Sequence, residues 1–112
     1  MEPGDIYMAD YPPGQRHPLV VVSREELNRG AYVVAAMITS SQFAVRSKLL
    51  NCVPLRAGQF GLTKDCVVQA ETAGPVRKLR VDPAAIGKLD DPTMRDVIRA
   101  LGYVMDADCE PV

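Results

Sequence analysis

The chain has 112 residues, a formal net charge of −1 and an apolar share of 47%, which fits one soluble globular domain with one modest core. Its three cysteines lack C-x-x-C spacing and it holds a single histidine, which argues against a disulfide framework and against a Cys/His zinc site. No apolar run approaches the ~20 residues that span a bilayer, and Met1-Glu2-Pro3-Gly4 has neither the basic nor the apolar region of a signal peptide, so a cytoplasmic protein is expected.

The first expected element is a strand from Asp5 to Tyr11. Pro12-Pro13-Gly14 then forces a turn, because proline fixes φ and glycine tolerates positive φ. Leu19 to Val22 is short, apolar and β-branched, the pattern of a strand buried on both faces. Ser23-Arg24-Glu25-Glu26 has the form of a capping box, and Gly30 stops the short helix it would start. Ala31 to Ile38 reads as a second central strand, and Thr39 to Lys48 as a polar loop. Leu49 to Leu55 and Asp65 to Glu71 read as strands around a turn holding Gly58 and Gly61. Pro75 to Val81 and Ala85 to Lys88 read as short edge strands.

The last element is a helix with Asp91 as N-cap and Pro92 at its first position. Met94, Val97, Ile98, Leu101 and Met105 form its apolar face, with Arg95, Asp96 and Arg99 on the other. Asp106 to Val112 makes a short, frayed acidic tail. Many short strands, frequent turns and one terminal helix predict a mostly β chain, a small antiparallel barrel capped by that helix.

Order and spacing narrow this further. Gly4-Asp5-Ile6-Tyr7 opens the chain, Arg16-His17-Pro18 precedes an apolar strand, and Met37-Ile38-Thr39-Ser40 closes the next. Gly61-Leu62 stands just before the strand from Asp65, and Leu89-Asp90-Asp91 with Met94 opens the helix. In that order these pieces resemble the PemK/MazF family of toxin ribonucleases, the mRNA interferases of type II toxin–antitoxin systems, over roughly residues 4–105. The resemblance implies an SH3-like barrel of the CcdB/PemK/MazF kind, usually a homodimer with two-fold symmetry. It implies a toxin endoribonuclease that cuts single-stranded RNA or mRNA at short motifs, with no metal and no cofactor. The RNA's own 2′-hydroxyl attacks, leaving a 2′,3′-cyclic phosphate and a 5′-hydroxyl. The implied partner is a cognate antitoxin protein that folds over the RNA groove.

Such chemistry needs a base for the 2′-hydroxyl and a cation or donor for the crowded phosphorane. The family usually shows arginine directly before the proline; here His17 holds that slot and Arg16 stands one place earlier. Two readings are open. Either His17 is the acid/base, since an imidazole titrates near neutrality, with Arg16 as phosphate clamp, or both are loop residues of a damaged site. Thr39 is expected to orient the scissile phosphate, with Ser40 contacting RNA, unless the pair only satisfies its own turn. Arg46 and Lys48, close to Phe43, suit single-stranded RNA through charge and stacking. Gln69 and Glu71 are further RNA-binding candidates, Glu71 as an acceptor for a base's exocyclic amine. The family's later arginine is missing, with Gly74 near its place.

The charge pattern fits a phosphate-binding face, or else a chance segregation of charges that are simply solvated. Residues 16–64 hold seven bases against two acids, a local charge of +5. The competing class is a binding module on the same barrel: a relative that has lost catalysis, or one acting like the CcdB toxins, which bind a topoisomerase instead of cutting RNA.

Overall fold

The computed structural model describes residues 1–107. Its strands are β1 (Asp5–Asp10), β2 (Arg16–Val21), β3 (Tyr32–Thr39), β4 (Cys52–Leu55), β5 (Cys66–Arg77) and β6 (Gly87–Lys88). A short helix α1 (Phe43–Arg46) follows β3, and α2 (Asp91–Val104) ends the described chain. All six strands belong to one antiparallel sheet, in the order β4-β5-β3-β2-β1-β6. The sheet curls into a half-barrel and α2 packs on β4 and β5. The expected mostly β architecture with a terminal helix is therefore what the chain forms. Among the described residues no helix is long and apolar enough to cross a membrane.

Period-two alternation builds an apolar layer on each face of the sheet. Ile6, Val20, Ala36, Ile38 and Val68 point to one layer, which α2 closes with Val97 and Ala100. Tyr7, Leu19, Val21, Val33, Ala35 and Val76 point to the other. Leu19, Val20 and Val21 are all 0% exposed, so the apolar run on β2 is buried on both faces, as its composition predicts.

β5 is one strand of 12 residues where the sequence suggests two. It pairs with β3 from Val67 to Arg77, with a bulge opposite Ala35 to Met37. Thr72 makes the bend tolerable: its hydroxyl accepts from the Met37 N–H at 2.8 Å and donates to the Gln69 carbonyl at 2.7 Å. A side chain thus replaces the main-chain partners that the bulge removes.

Local signals differ in three places. The capping box does not form: Glu25–Leu27 is a single 3₁₀ turn without a side-chain cap. Ser23 instead bonds Asn28 and accepts from the Val34 N–H at 3.0 Å, because Asn28 is buried and needs the partner. The α2 N-cap is Asp90, not Asp91; its carboxylate accepts from the Thr93 N–H at 2.9 Å. Of the expected apolar face of α2, Ile98 and the C-cap residue Met105 are 57% and 75% exposed, while Val97 and Ala100 make the buried contact. Of the expected acidic tail, residues 108–112 lie outside the described residues.

Candidate active site

β1 and β2 form a hairpin around Tyr11 to Gln15, with Asp10 paired to Arg16 and Ala9 to His17. Arg16 and His17 are therefore strand residues rather than loop residues. Consecutive strand residues leave on opposite faces, so this pair diverges at its root.

Pro18 explains why a cleft opens here. Val22 donates its N–H to the Val34 carbonyl on β3, while Val21 accepts from Gly4 on the β1 side. By alternation, residues 18, 20 and 22 turn their backbone groups toward β3. Proline has no N–H to give, and the β2–β3 ladder ends at Leu19 and Met37. Beyond that point His17 and Pro18 on β2 and Ile38 and Thr39 on β3 border a cavity of about 570 Å³.

The far wall comes from the segment before β5. Gly61 adopts φ +80, and a Cβ there would run into the Ile86 carbonyl; one on Gly87 would run into the Phe60 carbonyl. Only two glycines let these backbones lie against each other. Their contact sets Thr63 and Lys64 opposite the β2–β3 opening, and both border the cavity.

Of the eight site residues suggested by the sequence, Arg16, His17, Thr39 and Ser40 border this one cavity. Arg46, Lys48, Gln69 and Glu71 do not. Glu71 accepts from Asn51 at 2.8 Å and from Gln69 at 3.4 Å. The Asn51 bond holds Glu71 at the start of β4, and burial, with Glu71 beside it, raises the Cys52 thiol pKa. One face of Phe43 is already taken: the Arg56 guanidinium lies 5.2 Å from its ring centroid. The expected polar loop contains α1, a single helical turn.

Two cavity residues were hidden in the sequence. Lys64 reads there as one base among seven, and Thr63 as a turn residue; only the Gly61 contact brings them to β2. Cys66 also borders the cavity and donates its thiol to the Lys64 carbonyl at 3.1 Å. Burial pushes that thiol up, so it stays protonated at neutral pH.

Arg16 is held by Asp82 in a two-bond ion pair, Nη1 to Oδ1 at 3.0 Å and Nη2 to Oδ2 at 2.6 Å. Hydrogen bonding to Asp82 raises the Arg16 pKa and, reciprocally, lowers that of Asp82. His17 Nε2 lies 3.3 Å from Gln15 Oε1, so the Nε2-protonated tautomer donates to that amide. The Thr39 hydroxyl accepts from the Ser41 N–H at 3.2 Å and keeps its own proton to donate. An imidazole, hydroxyls and two cations around a cavity of this size suit a phosphodiester. Among the described residues no three His, Cys, Asp or Glu side chains gather as a metal site would require.

The fold has close counterparts. A mycobacterial endoribonuclease in complex with its cognate antitoxin superposes with a TM-score of 0.81 at 22% identity, covering 98% of this chain and 99% of that one. The Mycobacterium tuberculosis toxin MazF-mt6 gives 0.78 at 22% identity, covering 93% and 98%. A MazE–MazF structure from Deinococcus radiodurans gives 0.74 at 17% identity, covering 95% of both. At these identities the likeness is one of fold. No curated protein sequence matches. The family model for PemK-like, MazF-like toxins of type II toxin–antitoxin systems, however, matches residues 2–105, and this chain belongs to that family.

Proposed function

We propose that the chain is a metal-independent endoribonuclease that cuts single-stranded RNA at short motifs by attack of the RNA's own 2′-hydroxyl. The observation that carries this is the meeting of Arg16, His17, Thr39 and Ser40 around one cavity, in a chain of a toxin family. In this reading His17 takes the 2′-hydroxyl proton as O2′ bonds to phosphorus. Arg16 holds the non-bridging oxygens as negative charge grows on them, and Thr39 orients the phosphate. The bond from phosphorus to O5′ breaks, and the leaving oxygen takes a proton from solvent. Ser40, Arg46, Lys48, Gln69 and Glu71 contact the flanking nucleotides.

The proposed assembly is a cytoplasmic homodimer of about 24 kDa, twice the 12.2 kDa chain, regulated by a cognate antitoxin. Two of the fold neighbours are toxin–antitoxin complexes, and a C2 dimer is the commonest closed assembly. A second reading has one specific observation behind it: Asp82 already occupies the Arg16 guanidinium, which suits a barrel that binds without cutting. Incubating folded protein with a broad set of single-stranded RNAs in EDTA separates the two. Cleavage leaving 5′-hydroxyl ends supports the ribonuclease. Intact RNA leaves the binding module.

A further inference from the structure

Asp82 comes from a part of the chain far from Arg16 in sequence, yet its backbone is fixed against the same hairpin. Val81 bridges Ala9, and the Asp82 N–H donates to the Met8 carbonyl at 2.9 Å. From that anchor the carboxylate reaches past β1 and grips both terminal nitrogens of Arg16 on β2. A second pair flanks it: Arg80 lies 3.5 Å from Asp10, the strand partner of Arg16.

Stability is a weak reason for this arrangement. The two side chains of the Arg16–Asp82 pair are 54% and 41% exposed, and ion pairs that open to water stabilise a fold little. Geometry is a better reason. Arginine is long and flexible, and it borders the cavity just where a clamp would have to keep one orientation. A carboxylate on the two terminal nitrogens uses two of five N–H donors. Nε–H and the outer hydrogens stay available for a phosphate.

We propose that Asp82 is a positioning residue for Arg16, fixing which edge of the guanidinium faces the phosphate. The inference rests on Arg16 as the phosphate clamp proposed above. It assigns a role to a residue that the sequence shows only as one acid among fourteen.

The test is a double-mutant cycle on RNA cleavage with Arg16→Ala, Asp82→Ala and both together. A misplaced clamp should lower kcat by about 10²-fold with little change in KM. Asp82→Glu, which keeps a carboxylate within reach, should recover part of it. In the Arg16→Ala background, Asp82→Ala should do nothing further. If it lowers kcat equally in both backgrounds, Asp82 acts on the fold and the inference is overturned. It is also overturned if Asp82→Ala tightens RNA binding and speeds cleavage, since Asp82 would then be a competitor for Arg16. A wild-type protein that cuts no RNA would defeat the ribonuclease reading by itself. In that case the cycle is run on RNA affinity, beside the ¹⁵N resonance of Arg16 Nε. A distinct wild-type signal that merges with the other arginines in Asp82→Ala, with non-additive affinity losses, supports positioning. An unmoved signal overturns it.

Discussion

Gly61→Ala tests the close backbone contact that builds the cavity wall, and its cost follows from two separable terms. The residue sits at φ +80, a conformation that costs an L-residue about 1–2 kcal/mol. Its new Cβ would also collide with the Ile86 carbonyl. That atom belongs to a backbone held by its own main-chain bond, Ile86 N–H to the Ile6 carbonyl at 2.8 Å, so it cannot simply rotate away. Forced shifts of this kind cost about 1–3 kcal/mol. The total of about 2–5 kcal/mol is a large part of the 5–15 kcal/mol that stabilises an ordinary domain. Gly58→Ala is the internal control: it has φ +88 but nothing within 4 Å of the added Cβ. It should lose only the conformational share, about 1–2 kcal/mol. Urea unfolding followed by far-UV circular dichroism suits a chain without tryptophan. A lower midpoint at unchanged slope reads the loss directly. Equal midpoints for the two variants, or a Gly61→Ala protein as stable as wild type, would refute the contact.

Three further outcomes are expected. His17→Ala should slow RNA cleavage by roughly 10²–10⁴ without changing the melting temperature; a fully active variant beside an inactive Arg16→Ala would move the acid/base role to Arg16. Thr72→Val keeps the side-chain volume but strands the Met37 N–H, so it should cost about 1–3 kcal/mol by chemical unfolding. A loss below about 0.5 kcal/mol would mean that the bulge finds another partner. Hydrogen bonds to Arg16 and to Thr93 lower the Asp82 and Asp90 pKa values from the ordinary 3.8. The unfolded chain therefore takes up these protons first as pH falls. The stabilisation is complete well above 3.8 and is lost as pH drops through the lower folded values. Asp90→Asn should keep the cap yet melt with a shallower acid dependence, and an unchanged acid profile would contradict the assignment.

The strands that bury both faces were legible because their composition permits nothing else. Leu19 to Val21 is apolar without interruption, and the structure gives it a core on each side. The turn after β1 and the start of α2 were legible to within a residue, since proline and the Asp-Pro pair act locally. The capping box failed for a local signal with a distant competitor: the Ser23 hydroxyl serves buried Asn28 and the Val34 N–H instead. The division of β5 failed for a similar reason. Gly74 and Pro75 look like a break, but pairing to β3 carries the strand through them.

Sequence alone also determined the family, because its motifs are ordered along the chain and two of their residues hold a local backbone duty. Pro18 ends a ladder, and Gly61 permits a contact that no other residue could make. Which charges meet is a different kind of fact. Asp82 reaches Arg16 across 66 positions of sequence, and Lys64 reaches the cavity through the packing of Gly61 against Gly87. Glu71 turns to Asn51 and Gln69 instead. Charge carries no periodicity that names its partner. An ion pair depends on distance in space, and that distance exists only once the curled sheet has brought β1, β2 and the segment after β5 side by side.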